Sequence, residues 1–167
     1  MAIPKKLVGF SVSVDGRGYL GLADIELPDL ELNTEDHESG GLAVGVKVPV
    51  GGMALLDTKL TLYGYEPAVL KLFGVVSGRQ TQITARGSMK GDEGETPVLV
   101  QMRGLFYQAS LGGWKAKEGG TMEGTINCRY YQLKIGGEVM IEIDAENMVR
   151  MVGGVDQLAE TRANLGV

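Results

Sequence analysis

The chain is poor in the residues on which most chemistry depends. Its 167 residues include one cysteine, one histidine and one tryptophan, and aromatics make up 6%. Cys128 falls inside a strand-like pattern, where a small buried hydrophobe is expected rather than a nucleophile or ligand. The length suffices to bury a core without disulfides or metals, and nothing calls for an oxidising compartment. A single histidine, His37, excludes a histidine metal cluster and a Ser-His-Asp arrangement with a spare base. Basic residues are outnumbered, 16 Lys and Arg against 21 Asp and Glu, for a net charge of −5. That balance opposes a surface that grips nucleic acid, which rests on cations displacing phosphate counterions. No apolar run is long enough to span a bilayer, so a soluble chain with no membrane partner is expected. Lys5 and Lys6 ahead of Leu7 to Val14 have the outline of a signal peptide. Gly9, Ser11 and Ser13 alternate there with Val8, Phe10, Val12 and Val14, however, which predicts a half-buried strand of the mature protein.

What is abundant is alternation. From Asn127 to Asp144 the chain reads as two strands about Gly136-Gly137. Tyr131, Leu133 and Ile135 share a parity with Val139, Ile141 and Ile143, and a two-residue loop would set Ile135 opposite Glu138 and mismatch the faces. The expectation is a three-residue or bulged connection, Gly136-Gly137-Glu138, pairing Ile135 with Val139 and Leu133 with Ile141. Upstream, the apolar parity is even through Met122, Ile126, Cys128 and Tyr130 and then turns odd, so the strand from Thr121 to Ile135 is predicted to bend near Tyr130 and Tyr131. Leu7 to Val14, a turn at Asp15 to Gly18 and Tyr19 to Leu27 read as a hairpin. Thr58 to Tyr63 is a short strand, and Gln80 to Met89 turns at Gly91 to Gly94 into Pro97 to Gly104. A short helix is predicted over Glu66 to Gly74, with proline at its start and glycine at its end, and another over Val155 to Leu165, with Asp156 near its N-terminus.

Two long connections stand out. Asn33 to Gly52 is polar and rich in glycine, yet Val44, Val46, Val48 and Val50 alternate within it, as in an extended arm that meets a partner. Leu105 to Gly120 is the second, and it holds Trp114 among glycines, either a lid on the chain's own core or an anchor in a partner's pocket. Six Gly-Gly doublets fall at irregular intervals, which excludes a solenoid or propeller. The expected class is mainly β, an antiparallel β-sandwich or barrel over residues 1–167 as a single domain, with one short mid-chain helix and a short C-terminal helix.

Motifs that suggest chemistry give way to plainer readings. Gly16-Arg17-Gly18-Tyr19-Leu20-Gly21 fits a dinucleotide fingerprint, but that motif needs a helix next and a parallel return strand, whereas Pro28 and hairpins follow. Glu31, Glu35, Asp36 and Glu38 lack the spacing of a calcium loop. Glu142 and Asp144 share a strand face as catalytic carboxylates do, and as strand exteriors commonly do. No catalytic residue, cofactor or metal is expected, and the chain is read as no enzyme.

Several stretches resemble a known family in this order and spacing: Leu27-Pro28-Asp29-Leu30, Arg86-Gly87-Ser88, Met102-Arg103-Gly104 and Gly113-Trp114-Lys115-Ala116. Stronger are Tyr130-Tyr131-Gln132-Leu133, Glu142-Ile143-Asp144 with Asn147-Met148, and Gly154 to Leu158 through Arg162, Asn164, Leu165 and Gly166. Essentially end to end, the chain resembles the major tail tube proteins of contractile-tailed temperate phages and the tube subunits of R-type pyocins. The resemblance implies the tail-tube fold and hexameric rings stacked into a hollow conduit for DNA delivery inside a contractile sheath. It implies sheets of neighbouring subunits joined around the lumen, and the loop near 33–52 bridging rings through His37, Glu38, Ser39, Gly40 and Gly41. Family members carry Tyr-Arg-Gly-Gly or similar there, where this chain has His37-Glu38-Ser39-Gly40. Partners implied are the chain itself, the sheath protein, the tape measure protein, the baseplate hub and the tail terminator, with DNA passing unbound. The implied location is a virion tail, assembled in the host bacterial cytoplasm. An acidic wall would not hold DNA, which makes Glu123, Glu142 and Asp144 lumen-facing candidates, and Trp114 is the candidate interface aromatic. Phage tail and DNA-free pyocin are not separated at this level. The competing expectation is a monomeric β-sandwich binding module for carbohydrate or a cell surface, with Trp114 and tyrosines as its platform.

Overall fold

Alternating side chains resolve into strands over most of the chain. The computed structural model describes residues 4–19, 22–74 and 78–167. In chain order these hold β1 (Lys6–Val14), β2 (Arg17–Gly18), β3 (Ala23–Glu26), β4 (Leu32–His37), β5 (Val46–Met53), β6 (Asp57–Tyr63), α1 (Pro67–Leu70) and β7 (Thr81–Gly91). Then come β8 (Gly94–Ser110), β9 (Thr121–Ile135), β10 (Glu138–Asp144), β11 (Val149–Val152), β12 (Val155–Asp156) and α2 (Ala159–Leu165). Every pairing is antiparallel, in the order β12-β11-β10-β9-β8-β7-β1-β2, with β6 added to the first half of β9 and β3 added to β6.

The two long strands make this a sandwich. The first half of β8 and the second half of β9 belong to the main sheet, while their other halves run into the layer with β6 and β3. The predicted bend is there and has a cause: Arg103 pairs with Tyr130 but Gly104 pairs with Cys128, which leaves Arg129 as an extra residue. Parity therefore changes at Arg129, and both strand halves turn their apolar side chains inward. Val12, Ile83, Val100, Met102, Tyr131 and Ile143 of the main sheet meet Leu60, Leu62, Phe106, Met122 and Ile126 of the other layer in one buried cluster. Each large side chain so buried contributes on the order of 2 kcal/mol. The α1 turn closes one end, with Val69 buried and the Phe73 ring edge-on to Phe106 at 5.6 Å.

The structure corrects several boundaries. Gly136 and Gly137 form a two-residue turn, both with positive φ, and Ile135 does pair with Glu138. The faces are matched instead by a bulge between Val139 and Ile141, after which Leu133 pairs with Ile141 as expected. The first hairpin is only two residues deep, Ser13 with Gly18 and Val14 with Arg17, and β3 crosses to β6 instead of returning along β1. The dinucleotide-like stretch is thus a turn at Asp15-Gly16 and a strand, its Leu20 and Gly21 lying outside the described residues. β8 continues to Ser110, so the second connection shrinks to residues 111–120. Val155 and Asp156 are strand, and the last helix begins at Ala159. The stretch 33–52 is a paired ribbon, β4 with β5, and not a loop without structure of its own.

Candidate functional site

The main sheet offers a polar face whose register is readable residue by residue. Opposite the core, one row crosses six strands as Ser13, Thr84, Gln101, Gln132, Glu142 and Met151. A second reads Gln82, Arg103, Tyr130, Asp144 and Val149, and a third Ser11, Arg86, Leu99, Lys134 and Val139. Paired residues point to the same side of a sheet, so these rows form one surface. Its centre is hydroxyl and amide side chains, with charges of both signs around them.

Two sequence candidates sit on this face, and their neighbours fix them. Tyr130 donates to Glu142 Oε1 at 3.1 Å, and the Arg103 guanidinium lies 4.6 Å from the Tyr130 ring centre. Burial first, and then the bond to Glu142, push the Tyr130 phenol above its ordinary range. Asp144 caps the β10–β11 turn, accepting from the backbone N–H groups of Glu146 and Asn147 at 3.1 Å and from Asn147 Nδ2 at 2.7 Å. Burial alone would raise its carboxyl, but those hydrogen bonds, led by the Asn147 side chain, hold it below the usual carboxylate range. Glu123 is elsewhere. It lies on the first half of β9, opposite Thr61 and Ser110, on the outer surface of the second layer. The three acidic candidates therefore do not form one group. Three cations, Arg86, Arg103 and Lys134, stand in the rows with two anions, so this face is mixed in sign rather than acidic.

The β4–β5 ribbon is the second feature. Every residue from Glu31 to Gly52 is exposed. His37 pairs with Val46 and Glu35 with Val48, which puts Val46 and Val48 on one face with His37 and Glu35. Asp36 and Lys47 oppose each other on the other face, 2.8 Å apart, and the hydrogen bond to Asp36 raises the Lys47 pKa. Glu38, Ser39, Gly40 and Gly41 form the tip, where the Leu42 N–H donates to the Ser39 carbonyl at 2.9 Å. A two-stranded ribbon on its own is marginal in water, and exposed valines on it are a surface without a cover.

Trp114 occupies the 111–120 connection and is 80% exposed, its ring tilted against Tyr65 at 6.3 Å. With Lys115, Glu118 and Gly120 the two rings line an open hollow of about 330 Å³. The side chain is thus no lid on the core. Cys128 is buried, and its thiol is pushed up to about 12 by desolvation, which keeps it protonated. Among the described residues, no three His, Cys, Asp or Glu side chains cluster closely enough to hold a metal, and no helix is long and apolar enough to cross a membrane. The strands β11 and β12, the Arg103–Tyr130 stack and the Tyr65 partner of Trp114 escaped sequence reasoning. Of these only β11–β12 left a signal, the Gly153-Gly154 doublet, whose two positive φ angles make the turn.

Comparison with known proteins agrees with this architecture. Residues 4–166 match the family described as phage tail tube protein FII. The chain is 31% identical to the tail tube protein of Escherichia phage P2 over 172 aligned positions, covering the whole of both chains. It is 32% identical to the major tail tube protein of Serratia phage KSP20, covering 89% of this chain and 88% of that one. In structure it is similar to a chain of an extracellular contractile injection system, solved as the PVC sheath/tube terminator in its extended state. The TM-score there is 0.58 at 15% identity, over 79% of this chain and 97% of the other.

Proposed function

Because the chain belongs to the phage tail tube protein family, as a structural subunit of a virion tail, we propose that its copies close into hexameric rings that stack into a DNA conduit within a contractile sheath. The observation that carries this is the pair of open borders on a sheet with one polar and one apolar face. β1 is covered by β2 only at Ser13 and Val14, and at the far side β12 is two residues long. Exposed sheet borders invite pairing with another chain, and a heterologous contact that closes makes a ring.

In that ring the polar rows of the main sheet face the lumen, with Glu142 and Asp144 on the wall. Amide and hydroxyl side chains with charges of both signs give DNA no continuous cationic track, so it slides without being held. The β4–β5 ribbon, with His37, Glu38, Ser39, Gly40 and Gly41 at or beside its tip, bridges to the next ring, where its valines are covered. Trp114 points outward as an anchor for a second protein, the sheath being the partner expected there. The whole chain acts as one domain with the ribbon as its arm. It catalyses no reaction, is assembled in the host cytoplasm, and meets the tape measure, baseplate hub and terminator at the lumen and the tube ends.

Negative-stain microscopy of the concentrated, purified protein tests this. Rings or hollow tubes are expected. A compact monomer at high concentration would overturn the proposal and favour a monomeric binding module built on Trp114 and Tyr65.

A further inference from the structure

Joining two copies through the main sheet requires its apolar side to remain covered across the seam, and the structure holds both halves of such a cover. At the β1 border a hollow of about 150 Å³ opens between the layers, lined by Leu7, Phe10, Ile25, Leu27, Val98 and Val100 among others. Its surface is almost wholly apolar, and the Lys6–Ser11 backbone beside it has no strand on its outer side among the described residues. At the opposite border the core-facing row Val12, Ala85, Val100, Leu133, Ile141 and Val152 runs out onto Val155, which is 65% exposed.

We propose that the occupant of this hollow is Val155 of a second copy, its β12 lying along the free Lys6–Ser11 edge of β1. This rests on the ring proposed above and specifies which borders form it. Continuity of faces selects the partner. A second copy joined in this way sets its apolar row against the apolar hollow and its polar rows against polar rows, so a single wall surface results. The strand directions alternate without exception from β1 to β12, so β12 runs the same way as β1. In a ring of like-oriented copies the seam is therefore parallel, within a sheet that is otherwise antiparallel. Val155 shares a row with Val12, where Tyr19 already donates to the Val12 carbonyl. The seam must step one row down, to Phe10, with Leu7 in the row beyond it, and a consistent step between copies is what closing a sheet into a barrel demands.

Paired cysteines, Phe10→Cys with Val155→Cys, test this. Oxidised tubes of the double variant should run as a ladder of covalent multimers without reductant, and each single variant as monomer. Tubes that form normally but yield no ladder would overturn the border assignment while leaving the tube proposal standing. Failure of the unsubstituted protein to form rings or tubes would sink the tube proposal itself. In parallel, Val155→Glu should leave circular dichroism and thermal unfolding of the monomer unchanged and abolish rings, and rings of ordinary diameter from that variant would overturn the assignment as well.

Discussion

A Cβ atom on Gly104 would stand 1.8 Å from the carbonyl oxygen of Asn127, inside the bend where β8 and β9 pass from one layer to the other. No rotamer relieves a backbone clash, so Gly104→Ala must push the strands apart beneath Phe106. It should cost about 3 kcal/mol, read as a lower urea midpoint. Gly113→Ala, with nothing near its Cβ, should leave the midpoint alone. Cys128 reports the same transition, because its buried, protonated thiol should resist alkylation until the chain opens. Legibility at this scale was uneven for physical reasons. The parity change showed in the order of apolar residues, since each side chain must choose a face. Which of 26 glycines is sterically required did not, because that depends on the strand opposite. Trp114 was undecidable for the same reason, its exposure being a property of where the 111–120 connection lies.

Strands announced themselves wherever one face is buried and the other wet, which is why β9 was legible to the residue while β11 and β12 were not. The latter are short and lie at a border, where no strict alternation is enforced. The Gly136-Gly137 turn was misread for a related reason. A bulge corrects register as well as a longer loop does, and only pairing geometry says which was used. The ribbon is the element whose behaviour should change most between states. Its pairing encloses no core, and its Asp36–Lys47 contact is fully exposed, so the free subunit should open there at little cost. Hydrogen exchange should find residues 32–53 nearly unprotected in the monomer and strongly protected in tubes, while β8 and β9 are protected in both. Equal protection of the ribbon in the two states would remove its bridging role.

At the scale of the proposed tube, a wall formed by the polar face of the main sheet would carry cations as well as anions, and the register of the sheet fixes where they stand. The central row is uncharged from Ser13 to Gln132, and the cations sit in rows above and below it, Arg103 occupied by the face of Tyr130 and standing near Asp144. In the proposed tube, a wall made of this face would let DNA pass by interrupting positive charge rather than by being acidic throughout. Converting the central row tests this, because in the proposed rings a substitution there would be repeated by every copy. Glu142→Lys removes an anion and completes a cationic patch with Arg103 and Lys134. It keeps the backbone bonds of the strand and spares Asp144, whose loss would disturb the turn it caps. Tubes of this variant should reach normal length, since the seam and the ribbon are untouched, but genome delivery should slow. The defect should ease as salt rises, because each phosphate held by a cation makes binding fall with salt by roughly 0.9 in logarithmic slope. Glu123→Lys is the control, an identical charge change on the outer surface of the second layer, and should deliver at the ordinary rate. If both variants deliver alike, or if Glu123→Lys is the slower, the polar face of the main sheet is not the lumen wall.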